Sequence, residues 1–256
     1  QQTQRETIRG AGLSWRPGPR TSADFQCEPR FFGPSRLARM THRTRLTAWN
    51  IGYTRDTSTF QHLVFSLPPG NTAALLDAIF TASIPDAAQR AAAVRHFMQT
   101  TGIPALVSGS TSFYTQRVFL RDGVDASFAI LGNRNSIAFT AFSVENTRVS
   151  ADTITLAEDA FRLSERFRQH GFGIHADHKL TPSTSIGTTA SRTYARQEQA
   201  GQFDSRNDQF AVNLSHALSP KTTTLAGVSV NRFKTEDPGL SNLDVTLVFV
   251  GLNHRF

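Results

Sequence analysis

The final segment of the chain, residues 242–256, alternates between two kinds of side chain, a period of two that is typical of a β-strand. Counting back by twos from the last residue gives a mostly apolar face. This face carries Val248, Val250, Leu252, His254 and Phe256. The opposite face becomes smaller and more polar towards the end of the chain, where it carries Gly251, Asn253 and Arg255. The segment therefore predicts a strand with two chemically different faces.

A strand that stops on an aromatic residue resembles the closing strand of bacterial outer-membrane β-barrels. The resemblance implies that Phe256 lies at the membrane interface and that the barrel-assembly machinery reads Val248, Val250, Leu252, His254 and Phe256. An ordinary edge strand that happens to end on phenylalanine is the alternative.

The composition favours a membrane barrel over a soluble globule. Hydrophobic residues make up 39% of the chain, and no run approaches the ~20 apolar residues of a transmembrane helix. A transmembrane strand shows only one face to lipid, so half of its residues can be polar. The 20 phenylalanines supply apolar rings for that face. No signal peptide stands at Gln1, so we expect either a mature form or a chain that begins within a barrel.

The net charge of +7 comes mainly from arginines, which stand singly along strand-like segments and turns. Nucleic-acid binding normally requires clustered basic residues on one helix or ribbon, so this spacing argues against it. It favours a basic lumen, or contact with anionic lipopolysaccharide or polysaccharide. Cys27 is the single cysteine, which excludes an intrachain disulfide, and no metal-ligand spacing surrounds it.

Short turns alternate with longer polar connections, as in an antiparallel meander. Pro182 lies in one short turn and Pro220 in the next, where proline's fixed φ and missing donor suit a tight turn. The short turns would face the periplasm and the long connections the exterior. The predicted strands are 3–15, 21–30, 35–42, 45–56, 112–131, 136–147, 168–180, 184–195, 207–218, 222–234 and 243–256.

We therefore expect an all-β, antiparallel, up-and-down transmembrane barrel that occupies residues 1–256 and shows 11–12 strands. Single-chain bacterial barrels have even strand numbers, so an odd count predicts a larger barrel that lacks its first strands here. A soluble β-sandwich is the alternative fold, because period-two alternation does not tell which face meets water.

Residues 68–110 predict a helical hairpin inserted in one loop. Asn71 would cap a helix over 72–81, and a second helix would begin at Pro85, a favoured first-turn residue, and stop at Gly102. The hairpin would cap the outer mouth or fold into the lumen. It is either a loop with its own small core or a functional lid or plug.

Several segments resemble the PEP-CTERM system-associated outer-membrane proteins, a family of barrels encoded with exopolysaccharide genes in Gram-negative bacteria. They are Arg30-Phe-Phe-Gly-Pro34, Thr47-Ala-Trp-Asn-Ile-Gly-Tyr53, Ala74-Leu-Leu-Asp-Ala-Ile-Phe80, Ser83-Ile-Pro-Asp86 and Arg117-Val-Phe-Leu120. The resemblance runs from about Pro17 to Phe256 and implies an outer-membrane location and a polysaccharide context. It implies no catalytic residue and no cofactor.

Catalysis is weakly supported. His175, Asp177 and His178 form the one compact cluster, but they lie near a short turn, at the end where outer-membrane hydrolases do not work. Two ligands without a third do not make a metal site. We expect no catalytic, cofactor-binding or metal-ligating residue.

Four arginines, Arg117, Arg121, Arg192 and Arg232, fall within or at the ends of predicted strands. A charge facing lipid at the midplane costs about 2–4 kcal/mol, so these side chains should face the lumen or lie among lipid headgroups. Lumen arginines would favour anions or acidic sugars, whereas headgroup arginines would anchor the barrel.

The leading hypothesis is a non-enzymatic outer-membrane pore or scaffold in exopolysaccharide export. The first alternative is a closed structural or adhesive barrel that binds ligands through its extracellular loops. The second is an outer-membrane hydrolase. The expected partners are outer-membrane lipid, lipopolysaccharide, the barrel-assembly machinery and an anionic polysaccharide.

Overall fold

The computed structural model describes residues 9–58, 72–81, 84, 86–101, 118–149, 166–197, 204–219, 221–236 and 241–254. Within them lie eleven strands and two helices. The strands are β1 (Ala11–Gly18), β2 (Thr21–Arg30), β3 (Gly33–Arg43), β4 (Thr47–Ser58), β5 (Phe119–Leu131), β6 (Asn135–Arg148), β7 (Arg166–Thr181), β8 (Thr184–Gln197), β9 (Asp204–Ser219), β10 (Thr222–Thr235) and β11 (Leu243–His254). The helices are α1 (Thr72–Phe80) and α2 (Ala87–Thr101).

Each strand pairs antiparallel with its neighbour in sequence, in the spatial order β1 to β11. The predicted all-β, up-and-down architecture is confirmed. Across the described residues, β1 pairs only with β2 and β11 only with β10, so the sheet is open. The short turns after β1, β3, β5, β7 and β9 all lie at the same end of the strands, which we call the turn end. The other end of the strands is the loop end.

Most strand positions agree with the alternation in the sequence, and two local predictions are wrong. β1 continues to Gly18 through Pro17, past the predicted boundary at residue 15. The β2–β3 connection, at the loop end, is a tight turn of two residues, shorter than the four left between the predicted strands 21–30 and 35–42. Gly33 makes it possible, because its φ of 105° lies in the left-handed region that favours glycine. Residues 3–8 and 112–117 of the predicted strands lie outside the described part of the chain.

The register divides the sheet into two faces. In β7, for example, Phe172 and Ile174 are exposed on one side, whereas Gly173 and His175 are buried on the other. Cross-strand partners lie on the same face, so the division continues across all eleven strands. We call the side against which the helices pack the helix face and the opposite side the bare face.

The helical hairpin, α1 and α2, packs on the helix face. Ile79 of α1 is 4% exposed and belongs to a buried cluster that also contains Ala48, Ala129 and Ala138. These alanines come from β4, β5 and β6 and lie next to the short turns. The hairpin, whose chain leaves the sheet at the loop end, therefore reaches along the sheet to the turn end.

The two helices also hold each other. Leu76 and Val94 are buried, and the guanidinium of Arg90 in α2 donates to the Asp77 carboxylate of α1 at 2.7 Å. The predicted start of the second helix at Pro85 is wrong. The backbone N–H of Gln89 donates to the Asp86 carboxylate at 2.8 Å, so Asp86 is the N-cap and the helix begins at Ala87. Asn71, the predicted cap of α1, lies outside the described residues.

None of the helices in the described ranges has the length and apolarity that a membrane-crossing helix needs.

Candidate functional site: the two faces of the sheet

The bare face carries exposed apolar side chains on strand after strand. Trp49 is 47% exposed, Phe172 47%, Phe210 49% and Val250 83%. Trp49 and Phe128, on β4 and β5, lie with ring centroids 4.0 Å apart. Further exposed members are Leu13, Trp15, Phe25, Met40, Ile51, Val124, Ile137, Phe139, Ile174, Leu214, Val228, Val248 and Leu252. This face is a continuous apolar band that no described segment covers.

Charged side chains border the apolar band towards the loop end, in a set that we call the ion row. Nε of Arg192 donates to Asp208 at 2.5 Å, and Arg206 contacts the other oxygen of the same carboxylate. On β6 and β7, Glu145 accepts from Arg166 at 3.1 Å and from Arg168 at 2.7 Å. The row consists of Arg55, Asp122, Glu145, Arg166, Arg168, Arg192, Arg196, Asp204, Arg206, Asp208, Arg232 and Asp244.

Four histidines border the band towards the turn end, and we call them the histidine row. Each hydrogen-bonds through Nδ1 to the residue directly opposite it, which is the first residue of the preceding strand. The pairs are Thr21–His42 at 2.8 Å, Asn135–His178 at 2.6 Å, Thr184–His216 at 2.8 Å and Thr222–His254 at 2.9 Å. The apolar band thus has a defined edge at each end of the sheet.

From β5 to β9 the helix face is mainly polar. Its buried members are mainly hydroxyl and amide side chains from β5 to β9, among them Ser127, Thr140, Asn146, Gln169, Thr189, Ser191, Thr193, Asn213 and Ser215. Both side-chain polar atoms of Asn146 and Nε2 of Gln169 are buried without a hydrogen-bond partner among the described residues. Buried polar atoms without protein partners are normally hydrated, so this wall is suited to a wet interior rather than to a dry core.

The structure places the predicted arginines on both faces. Arg121 lies on the helix face, opposite Asp56 of β4 and in electrostatic reach of Asp125. Arg192 lies on the bare face in the ion row, and so does Arg232, opposite Asp208 and Asp244. Arg117 lies outside the described residues. The three arginines in the described part of the chain thus do not form one site.

The residues that the barrel-assembly machinery is expected to read share one face, for those members that lie in the described part of the chain. Val248, Val250, Leu252 and His254 all lie on the bare face of β11. Phe256 lies beyond the described residues.

The compact cluster of the sequence is split between the faces. His175 and Asp177 are buried on the helix face, where His175 Nδ1 hydrogen-bonds to Thr189 Oγ1 at 2.8 Å. His178 projects from the bare face towards Asn135. In the part of the chain that the structure describes, no three His, Cys, Asp or Glu side chains are grouped as metal ligands.

Sequence reasoning missed the ion row and the histidine row. The members of the histidine row stand at irregular spacings along the chain, and only the register brings them into line. The one signal was local, since each partner Thr or Asn directly follows a short turn.

No model of a known protein family matches the chain, and no curated protein matches it. Among the solved structures that resemble it are an outer membrane protein, a toluene transporter and a hydrocarbon channel. In-vitro folded OmpT, an outer membrane protein of Vibrio cholerae, has 9% identity and a TM-score of 0.45, over 96% of this chain and 63% of that one. The Pseudomonas putida toluene transporter TodX has 10% identity and a TM-score of 0.31, over 97% and 66%.

The CymD monoaromatic hydrocarbon channel has 9% identity and a TM-score of 0.23, over 97% of this chain and 82% of that one. The chain spans less than two thirds of the length of the Vibrio OmpT that it matches. At these identities and TM-scores the likenesses carry no argument about function.

Proposed function

We propose that this chain forms the wall of a bacterial outer-membrane β-barrel, with the bare face in lipid and the helix face towards an interior that holds the helical hairpin. The observation that carries the proposal is the apolar band, which has exposed large apolar side chains on ten of the eleven strands and lies opposite a wall that is mainly polar from β5 to β9. In a soluble sandwich the apolar face would be the buried one.

The size of the band supports this assignment. Eleven strands spaced ~4.8 Å apart make a sheet about 48 Å wide, so a band about 20 Å tall presents on the order of 1,000 Å². Soluble monomers rarely expose an apolar patch larger than a few hundred Å². An uncovered band of this area would aggregate in water, whereas in a bilayer it is the normal surface.

The height of the band agrees with a bilayer. Ten residues separate His178 from Arg168 on β7, and eight separate His216 from Asp208 on β9. At about 3.4 Å per residue and a tilt of about 45°, these spans correspond to about 19–24 Å along the membrane normal. The apolar band of outer-membrane barrels is about 25 Å tall. The two rows would therefore lie at the two headgroup levels.

Within that barrel we propose a non-enzymatic role as a pore or scaffold in surface polysaccharide export. The wall of hydroxyl and amide groups on β5 to β9 is suited to hydrogen bonds with a hydrated sugar chain. The resemblance to barrels encoded with exopolysaccharide genes supports the same substrate class. The hairpin, packed on this wall through Ile79, would then be a plug that must move for transport.

The position of the hairpin also supports a second candidate, a permanently closed structural or adhesive barrel. A plug held by a buried apolar cluster and by the Arg90–Asp77 ion pair needs no mobility to fulfil that role.

Planar-bilayer conductance separates the two candidates. Ile79→Asp places a charge in the apolar contact between the hairpin and the wall, where it has no partner. For a plugged pore we expect discrete conductance steps at least several-fold larger or more frequent than in the wild type. Ala92→Asp puts the same charge on an exposed position of α2 and serves as the matched control.

Heat-modifiable gel mobility should first confirm that each variant is a folded barrel. A folded Ile79→Asp barrel that stays as silent as the Ala92→Asp control would eliminate the pore and leave the closed structural barrel. A chain that remains monomeric and soluble without detergent would eliminate the membrane assignment itself.

A further inference from the structure

The histidine row is a repeated unit rather than four separate hydrogen bonds. In each pair, the partner is the first residue of β2, β6, β8 or β10, and the histidine stands opposite it near the end of the next strand. All four imidazoles project on the bare face at the turn end of the apolar band. The chain contains eight histidines, so half of them serve this one edge.

The hydrogen bond determines what each imidazole offers to its surroundings. Nδ1 is engaged by the neighbouring strand, so Nε2 is the ring nitrogen that points away from the pair. A threonine hydroxyl can donate to Nδ1, and the proton of the neutral ring then resides on Nε2. Three of the four pairs have such a threonine. With that tautomer they hold an N–H donor at the edge of the apolar band. In the fourth pair Nδ1–H of His178 donates to Asn135 Oδ1, so Nε2 of that neutral ring is an acceptor.

The charge at the turn end is almost entirely positive. Arg20 precedes Thr21 in the turn between β1 and β2, and its carbonyl accepts from the backbone N–H of Arg43 at 2.9 Å. The side chain of Arg43 lies on the helix face, opposite Ala48. Arg134 precedes Asn135 in the same way, and its carbonyl accepts from the backbone N–H of Lys179 at 2.8 Å. Lys179 lies on the helix face, opposite Ser185.

Lys221 precedes Thr222 of the last pair, and Arg45 lies in the turn before β4. The nearest acidic side chains in the described part of the chain, Asp24 and Asp177, belong to the helix face. The loop end differs, because there the arginines of the ion row are paired with carboxylates.

We propose that the turn end of the bare face is a binding girdle for anionic phospholipid headgroups, in which His42 and His216 donate through Nε2–H to lipid phosphates beside the Arg and Lys side chains of the adjoining turns. Charge complementarity and position identify the occupant, since phosphates of the leaflet on this side would lie at this level. The proposal rests on the membrane assignment made above and adds a lipid class and a set of binding residues to it.

The preference can be measured on the full chain refolded into vesicles, with spin-labelled phosphatidylglycerol and phosphatidylcholine as probes. We expect the wild type to bind the anionic probe roughly fivefold more strongly, as juxtamembrane basic residues do on anionic leaflets. Replacing all four members of the histidine row by phenylalanine keeps an aromatic ring at each position but removes the imidazole N–H donor. This variant should lose at least half of the preference.

The molecule offers two matched comparisons. His170→Phe changes an exposed histidine of the bare face nearer the loop end, where it stacks on Tyr194, and should leave the preference unchanged. Thr47 opens β4 opposite Ile130, a fifth equivalent position that lacks a histidine. Ile130→His should add about one bound anionic lipid.

A second set of variants tests the geometry if the fourfold variant does not fold. Thr21→Val and Thr184→Val retain the imidazole and remove the hydroxyl that orients it, and we expect each to reduce the preference. Equal binding of the two probes by the wild type, or a preference unchanged in a folded variant, would overturn the girdle alone. Failure of the wild type to enter vesicles would overturn the girdle together with the membrane assignment.

Discussion

Gly171 shows how tightly neighbouring strands pack on the helix face. A Cβ at this position would lie 2.8 Å from the carbonyl oxygen of Arg192 and 2.9 Å from the Phe142 ring. The ring thus lies over the space that glycine leaves on the next strand. The carbonyl belongs to the paired strand β8, so it cannot move without disturbing the ladder.

We therefore expect Gly171→Val to lower the free energy of unfolding by about 1–3 kcal/mol, through displacement of the backbone and of the ring. Gly251→Val is the control, because a Cβ at Gly251 meets nothing within 4 Å. Urea titration of the barrel in lipid vesicles measures both variants. Equal effects of the two substitutions would contradict the role given to the Phe142 contact.

At the scale of single residues, the sequence determined which arginines are in strands but not which way they point. Arg121 and Arg192 both stand in alternating segments, yet one lies on the helix face and the other on the bare face. Alternation places neighbouring residues on opposite faces, and the contact with the hairpin identifies which of the two faces is covered.

Among the elements, α2 depends on its N-cap. The Asp86 carboxylate accepts from the N–H of Gln89, which would otherwise be an unsatisfied donor of the first turn. We expect Asp86→Ala to destabilise α2 by about 1 kcal/mol. Hydrogen exchange should then become faster at the α2 amides and stay unchanged in β6 and β7. Unchanged exchange at the start of α2 would show that the cap contributes nothing.

The strands were predictable because alternation and turn residues are local signals. Pro182 and Pro220 mark short turns, and β8 and β10 each begin two residues later. The short β2–β3 connection was predicted, but β3 begins two residues earlier than expected, at Gly33, the one turn residue of Arg30-Phe-Phe-Gly33. The histidine row was missed because a shared level on a sheet depends on register across hairpins, which no single segment encodes.

For the molecule as a whole, the surrounding medium can be tested with two adjacent residues. Val228 is exposed on the bare face, and Ser229 lies on the helix face of the same strand. In a bilayer, Val228→Arg should cost about 2–4 kcal/mol because it places a charge in the apolar band. Ser229→Arg should cost less, because its side chain enters a polar interior.

Unfolding titrations in vesicles give both values. Similar and small effects of the two arginines would show that water, rather than lipid, meets the bare face.

The strict neighbour-to-neighbour pairing of the sheet has a consequence for how such a protein changes over evolution. Among the described strands, each pairs only with the strands before and after it in the chain, so a hairpin is the unit that could be duplicated or lost. Four of these units already carry their own Thr–His or Asn–His pair, and so each brings its own membrane boundary with it. Duplication or loss of one hairpin would change the circumference of a barrel while every remaining strand kept its depth in the bilayer.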